Sequence, residues 1–171
     1  VGAGMTDPKG DRSKRPSNQS DPDLFMHVTR RTKEGLYVKG AKAHMTGGLN
    51  SHWICVMPTM NMLEADKDYA VSCMVPATAP GFTYVYGRQA CDTRALEPGD
   101  IDKGNAKYGG QETLVIFDDV FIPWAHVLMD GEYEFAQALV SRFTAYHRAS
   151  YVCKTGLGDV MIGAASSIAE M

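Results

Sequence analysis

The sequence predicts an α+β fold, with a β domain (a barrel or a sandwich) over residues 1–130 and a helical segment over residues 131–171. Runs of β-branched and aromatic residues bounded by Gly, Pro or Asp recur up to Pro123, which is typical of short strands. From Glu132 onward, apolar residues recur at helical spacing instead. Because the strands precede the helices, the sequence favours a β domain joined to a separate helical domain.

The predicted strands follow a long polar loop. Residues 1–23 are rich in Gly, Pro, Asp and Ser, and their length favours a functional loop over a mere connection. Glu34-Gly35 has the composition of a hairpin turn between the first two strands. A second polar, glycine-containing excursion covers residues 87–112. The predicted strands are Phe25–Arg31, Leu36–Ala43, Trp53–Met57, Tyr69–Val75, Phe82–Tyr86, Thr113–Phe117 and Val120–Pro123.

Two helices complete the predicted order. The first carries an apolar stripe that includes Phe135, Leu139 and Phe143. The second is expected to begin after the segment 155–158, with Asp159 as a candidate N-cap. Its Gly and Ala content is typical of a face packed closely against another helix or another subunit.

Composition narrows the function classes. With 44% apolar residues, 22% charged residues and a net charge of −3, the 171-residue chain is an ordinary globular sequence without the basic patch of a nucleic-acid-binding protein. No apolar run approaches the roughly 18 residues of a membrane span. The four cysteines form no Cys-x-x-Cys motif, which favours a reducing cytoplasm. The chain begins without Met and stops within a helical pattern, so we expect a piece of a longer protein.

Two segments have residues suited to holding a ligand. In the first, Met5 to Arg12, a hydroxyl, backbone N–H groups and a guanidinium can face a ligand, and Pro8 and Gly10 allow close backbone approach. In the second, His44 and Thr46 end a strand and two glycines follow, so the threonine can point at a heterocycle. The alternatives are a solvated surface turn and a hairpin corner in which Thr46 caps its own turn.

His147 and Cys153 lie six residues apart near the end of the chain. Thiolate is a common ligand of iron, and imidazole is a rarer one on iron–sulfur clusters. Six residues on a regular helix place two side chains about 120° apart. Both can therefore reach one cluster only if the segment unwinds or bends. The alternative is a core cysteine beside a capped histidine.

Several of these segments resemble one superfamily. MTDPKGDR is similar to the Thr-Glu-Pro loop of the acyl-CoA dehydrogenases, GLYVKGAKAHMTGG to their strand pair ending in Trp-Ile-Thr-Asn-Gly, and FDDVFIPWAHVL to the end of their β domain. NSHWICVMPT, YGRQACDTR, GNAKYGGQE and YHRASYVCKTGLGDVMIGAA resemble the 4-hydroxybutyryl-CoA dehydratases, which share the fold of the flavin-dependent 4-hydroxyphenylacetate 3-hydroxylases. The resemblance implies an acyl-CoA dehydrogenase-like middle β domain followed by the start of a C-terminal helical bundle.

The resemblance also implies a chemistry. It implies FAD, a [4Fe–4S] cluster with three Cys and one His as ligands, an acyl-CoA substrate and a homotetramer. The implied reactions are dehydration of 4-hydroxybutyryl-CoA to crotonyl-CoA and isomerisation of vinylacetyl-CoA. The implied flavin contacts are Met5, Thr6, Arg12, His44 and Thr46. The implied cluster ligands are His147 and Cys153. The implied catalytic residues are His147, Glu112, Tyr151 and Lys154.

Two other readings of the chain remain open. A two-component flavin monooxygenase of the hydroxyphenylacetate type has the same fold but no cluster, so iron and acid-labile sulfide would separate it from a dehydratase. A non-catalytic β domain used for assembly predicts no flavin binding. Cys55, Cys73 and Cys91 lie in or beside predicted strands and are expected to be small buried apolar residues, not cluster ligands.

Overall fold

The computed structural model describes residues 1–86, 112–149 and 152–170. Its described strands and helices follow the expected order, strands first and helices last. The strands are β1 Gly2–Gly4, β2 His27–Arg31, β3 Gly35–Thr46, β4 Trp53–Val56, β5 Val71–Pro76, β6 Phe82–Tyr86, β7 Glu112–Pro123 and β8 Val127–Asp130. The α-helices are α1 Ala136–Ala149 and α2 Val152–Ala169, and short 3-10 turns connect several strands.

The strands form two four-stranded sheets with the orders β1-β4-β5-β8 and β2-β3-β7-β6. Strand β1 pairs with β4 in parallel, and the other neighbours are antiparallel. The predicted hairpin between the first two strands is present: β2 and β3 are joined by a turn in which Thr32 N donates to Gly35 O at 2.8 Å. The described strands do not close into a barrel.

Both sheets contribute to one hydrophobic core. Leu36 and Val38 come from one sheet and Ile54 and Val56 from the other, and all four are fully buried. Burial of side chains of this size contributes about 1.5–3 kcal/mol each. From Leu36 to Lys42 every second residue of β3 is buried, and after the register shift at residues 43 and 44 the next buried residue is Met45. The inward-facing residues of β3 are therefore buried, and the residues between them lie on the opposite face of the strand.

Strand β3 is irregular at two places close to the candidate ligand segments. Its register against β7 shifts between Val38 and Gly40 and again between Lys42 and Met45. At the first shift Gly40 has a φ of 119°, and a Cβ there would lie 2.6 Å from Met26 Cα. At the second shift His44 has a φ of 53°, in the left-handed region that side chains rarely adopt. The second irregularity changes the direction of the strand just before Thr46.

Some expected strand boundaries were wrong. Thr113–Phe117 and Val120–Pro123 are one continuous strand, β7, because Asp119 takes a φ of 53° and forms a bulge instead of ending the pairing. Strands β1 and β8 were not predicted. β1 consists of Gly-Ala-Gly and carries no side-chain signal, so its strand conformation comes from its pairing with β4.

The second helix begins earlier than expected. α2 starts at Val152, not after the segment 155–158, so Asp159 lies inside the helix and is not its N-cap. Gly156 and Gly158 are inside it too, and neither has a positive φ. Glycine weakens a helix by about 1 kcal/mol per residue but keeps its N–H, so it does not end a helix as proline does.

The chain divides into two compact units, Val1–Gln137 and Ala138–Met171. The first contains the two sheets and their core, and the second contains most of α1 and all of α2. Among the described residues, no helix is both long and apolar enough to cross a membrane.

Candidate functional site

Four of the expected flavin contacts lie near one end of β3. Thr6 O accepts a hydrogen bond from Ala43 N at 2.7 Å, which places the first loop against the strand. Met5 is joined to the same strand through its carbonyl oxygen, which accepts a hydrogen bond from Lys42 Nζ at 3.2 Å. His44 and Thr46 follow within three residues of Ala43. Two segments that are 35 or more residues apart in the sequence therefore meet in the fold.

Thr46 and Glu112 form the polar contact at the tip of this region. They are directly opposed in the pairing of β3 with β7, and Thr46 Oγ1 donates to Glu112 Oε1 at 2.5 Å. Both side chains are exposed. Since a hydroxyl has one proton and two lone pairs, a Thr46 that donates to the carboxylate presents only acceptor capacity to a ligand. The threonine thus bonds across the strands and not to its own turn.

A buried lysine lies beneath the first loop. Lys42 is 2% exposed. Its Nζ donates to Asp7 Oδ1 at 2.5 Å, to Met57 O at 3.0 Å and to Met5 O at 3.2 Å. The second carboxylate oxygen of Asp7 accepts a hydrogen bond from Thr59 Oγ1 at 2.6 Å. Met5 O and the Asp7 side chain are thereby held inward, while the side chain of Thr6 between them is exposed.

A surface cavity of about 380 Å³ lies along the same loop. Its wall includes Thr6, Arg12 and Lys9 on the loop side and Phe25 and Met60 on the other. The volume is at the lower end of the range for small-molecule sites, so the cavity is large enough for part of a dinucleotide. Asp7 and Asp11 also line the cavity, so its wall combines cationic, acidic and apolar side chains that suit a heterocycle with polar substituents. The residues that line this cavity therefore fit part of a flavin dinucleotide.

A second anchor holds the later part of the first loop. Asp66 is fully buried, and its carboxylate accepts hydrogen bonds from Ser17 Oγ at 2.6 Å, Ser17 N at 3.1 Å and Leu63 N at 3.1 Å. Arg15 lies 3.6 Å from it. Burial raises the pKa of this carboxyl, but the hydrogen bonds from Ser17 and Leu63 and the Arg15 charge outweigh burial and leave it lowered.

Comparison with known proteins shows the family of the chain. The family model described as 4-hydroxyphenylacetate 3-hydroxylase N terminal matches residues 1–129. The chain belongs to this family. A 4-hydroxybutyryl-CoA dehydratase/vinylacetyl-CoA-Δ-isomerase from Clostridium aminobutyricum is 55% identical over 99% of the chain and 35% of the relative. The oxygenase component of a 4-hydroxyphenylacetate 3-monooxygenase from Thermus thermophilus is 29% identical over 97% of the chain and 34% of the relative.

Solved structures of the family match as well. An oxygen-tolerant archaeal 4-hydroxybutyryl-CoA dehydratase from N. maritimus is 65% identical, with a TM-score of 0.84 over 99% of this chain and 34% of the other. An HpaB oxygenase complexed with FAD and 4-hydroxyphenylacetate is 27% identical, with a TM-score of 0.64 over 82% of this chain and 29% of the other. The chain spans about a third of the length of the curated relatives it matches.

The remaining expected site residues lie in the second unit. His147 lies in α1, and Cys153 and Lys154 lie in the first turn of α2. Tyr151 lies outside the described residues, as does Cys91. The two expected cluster ligands therefore belong to two different helices, and their role in a cluster stays a prediction.

Cys55 and Cys73 lie in the two-sheet unit. Cys73 is buried in the core, where burial raises the pKa of its thiol to about 12. Cys55 is half-buried, and burial raises its thiol pKa as well. Both thiols are therefore protonated at neutral pH in the structure as it stands, which fits their expected role as small apolar residues. In the segments for which side chains are described, no three His, Cys, Asp or Glu residues are grouped as a metal site would require.

The sequence analysis did not single out Lys42, Asp7 or Thr59. The sequence nevertheless contains a pattern that predicts the burial of Lys42. In the run Leu36, Val38, Gly40, Lys42, every second residue faces the core, so the alternation places a lysine at an inward position. A lysine is almost never fully buried unless it is paired. Asp7 and Thr59 gave no comparable signal, because they approach Lys42 only when the first loop and the segment after β4 pack against β3.

Proposed function

We propose that the protein containing this chain dehydrates 4-hydroxybutyryl-CoA to crotonyl-CoA and isomerises vinylacetyl-CoA. The observation that carries the proposal is the 55% identity, over 99% of this chain, to a protein named for both activities. The position of Thr6 against Ala43, with His44 and Thr46 following on β3, is compatible with the flavin that this proposal requires, because a flavin needs polar contacts held on a rigid sheet edge.

The two reactions share one proton-transfer requirement. Dehydration removes a proton from C2, a proton from C3 and the hydroxyl from C4, and adds a proton to C4, so that one water is lost. Isomerisation of vinylacetyl-CoA moves a proton from C2 to C4 and loses no hydroxyl. Both need a base near C2 and an acid near C4. We assign proton transfer to His147 and Glu112, and hydrogen bonding to the substrate oxygens to Tyr151 and Lys154.

FAD is the proposed resident cofactor. Met5, Thr6, Arg12, His44 and Thr46 would hold it. When bound, FAD supplies an electron acceptor close to the substrate. The contribution of these residues is orientation. Thr46 Oγ1 donates a hydrogen bond to Glu112 and keeps its lone pairs as acceptors for a ligand, and Arg12, in a cavity wall that also contains Asp11, can pair with a phosphate.

A [4Fe–4S] cluster is the second proposed cofactor, with His147 and Cys153 as the ligands from this chain. When bound, it supplies a Lewis-acidic iron for a leaving hydroxide. Support comes from the resemblance of the segment that contains both residues to the 4-hydroxybutyryl-CoA dehydratases. The homotetramer and the cytoplasmic location stay predictions, and light scattering of the full-length protein tests the first.

The test uses the full-length protein purified without oxygen. His147→Ala is expected to abolish dehydration and to lower the iron content while FAD remains bound, and His52→Ala, an exposed histidine outside the proposed site, serves as the matched control. Crotonyl-CoA formation, iron and acid-labile sulfide are measured on both variants. Full dehydratase activity in His147→Ala would contradict the assigned role, and a wild-type protein free of iron and sulfide would contradict the cluster.

A flavin monooxygenase is the second candidate, because the matching family model is described as a 4-hydroxyphenylacetate 3-hydroxylase. It would use the same flavin contacts but no cluster. A yellow, iron-free protein that hydroxylates a phenol with reduced flavin and oxygen would favour it. A protein that binds no flavin at all would instead favour the non-catalytic assembly domain.

A further inference from the structure

We infer that Lys42 is a positioning residue: with Asp7 and Thr59 it fixes the loop that presents Thr6 to the flavin. The inference rests on the proposed function only in taking the ligand to be a flavin. The geometry that carries it is the set of hydrogen bonds made by a lysine that is 2% exposed.

The ammonium group of Lys42 has its full complement of partners. An ammonium has three N–H donors and no acceptor. Those of Lys42 meet Asp7 Oδ1, Met57 O and Met5 O, at 2.5, 3.0 and 3.2 Å. Two of these acceptors belong to the first loop and the third, Met57 O, to the residue that follows β4, while the lysine itself belongs to β3. One charged group therefore joins three separate segments of the chain.

This arrangement is costly as a means of stabilising the core. Burying a lysine and an aspartate removes both from water, and an apolar pair of similar volume often stabilises a protein as well or better. Lys42 follows Leu36, Val38 and Gly40 on the inward phase of β3, where an aliphatic residue would serve packing. What an aliphatic side chain cannot do is hold two backbone carbonyls and a carboxylate in fixed positions.

We call the hydrogen-bonded group of Lys42, Asp7 and Thr59 the clamp, and its effect is to fix the backbone around Thr6. The residue before it is held by its carbonyl oxygen and the residue after it by its carboxylate, and Thr6 O accepts a hydrogen bond from Ala43 N. The backbone of Thr6 is therefore fixed on both sides while its side chain is exposed. A loop ordered before binding saves the ligand the free energy of ordering it, which raises affinity.

The experiment compares two lysines of the same strand in the full-length protein. Lys42→Met removes the ammonium group and its three hydrogen bonds and retains an unbranched side chain that is one atom shorter. Lys39→Met is the matched control, since Lys39 also lies on β3 and pairs with an aspartate, Asp118, but at 3.4 Å and on the surface. The affinity of the deflavinated protein for FAD, the visible spectrum of the bound flavin and the amide hydrogen exchange of the first loop are measured.

We expect Lys42→Met to bind FAD about tenfold more weakly, to shift the flavin spectrum and to speed the exchange of the amide of Ala43. Lys39→Met should change FAD affinity less than twofold. A purely structural lysine would lower the unfolding temperature but leave the spectrum of the flavin that still binds unchanged. Wild-type affinity, spectrum and exchange in a folded Lys42→Met protein would overturn the inference.

Thr59→Val covers the case in which Lys42→Met fails to fold. It removes only the hydrogen bond to Asp7 Oδ2 at the edge of the clamp. Faster exchange confined to the first loop, with weaker FAD binding, supports the clamp, and no change in either overturns it. A wild-type protein that binds FAD but has no dehydratase activity would refute the proposed function and leave the positioning role intact.

Discussion

Replacing Thr46 by valine tests the candidate flavin site at its most exposed contact. Valine has nearly the same shape as threonine but has no hydroxyl, so it removes both the donor to Glu112 and any acceptor toward a ligand. Thr46→Ser retains the hydroxyl and loses only a methyl group. The pair of variants therefore separates the hydrogen bond from the packing of the side chain.

The expected effect follows from the exposure of the contact. A typical hydrogen bond contributes about 1 kcal/mol net, and a bond between exposed groups contributes no more than that. Because both Thr46 and Glu112 are exposed, Thr46→Val should change the free energy of unfolding by less than about 1 kcal/mol. One lost hydrogen bond to the flavin should weaken FAD binding about fivefold.

The assay is a fluorescence titration of FAD with the deflavinated full-length protein. We expect Thr46→Val to raise the dissociation constant about fivefold and Thr46→Ser less than twofold. Glu112→Gln, which retains an acceptor oxygen but not the charge, should lie between them. Equal dissociation constants for the valine and serine variants would refute the reasoning, because the hydroxyl would then make no contact with the cofactor.

Three further predictions follow from the described contacts. Gly40→Ala should destabilise the first unit by about 3 kcal/mol, and Gly47→Ala, which meets no atom within 4 Å of its new Cβ, by about 1 kcal/mol; thermal unfolding measures both. Asp66→Asn should speed the hydrogen exchange of the Ser17 amide. In the wild type this protection should persist above the ordinary aspartate pKa of about 3.9 and be lost as the pH falls through the lowered folded value. Cys73, with a pKa of about 12, should resist alkylation at pH 8 until the protein unfolds.

The sequence was most informative where structure is local. Phe82–Tyr86 was predicted with the bounds it has as β6, because its aromatic and β-branched residues lie between turn-forming residues. Gly2–Gly4 could not be predicted, since its strand conformation depends on β4, about 50 residues away. Asp118-Asp119 suggested a break between strands, and only the pairing partner β3 shows that the strand continues through a bulge.

In the candidate site, too, residues with a local sequence signal could be predicted and contacts between distant segments could not. Thr6 and Thr46 were singled out from residue types and from resemblance, and the meeting of their segments at Ala43 is a contact that no local pattern encodes. The alternation of buried residues in β3 could have predicted that Lys42 is buried, but it gives no information on its partners Asp7 and Thr59. The exposed residues Thr6 and Thr46 could therefore be singled out as candidates, and their contact with a flavin stays a prediction, while the buried groups beneath the first loop required the fold.

The range of the family match supports the FAD hypothesis and the cluster hypothesis to different degrees. The match ends at residue 129, so all five expected flavin contacts fall inside it, and His147 and Cys153 fall beyond it. A dehydratase and a phenol monooxygenase are both similar to this chain, so a flavin site in the β domain is compatible with either. Proof of FAD binding would therefore not choose between them. The choice depends on iron and sulfide, and on whether they are lost with His147 or Cys153.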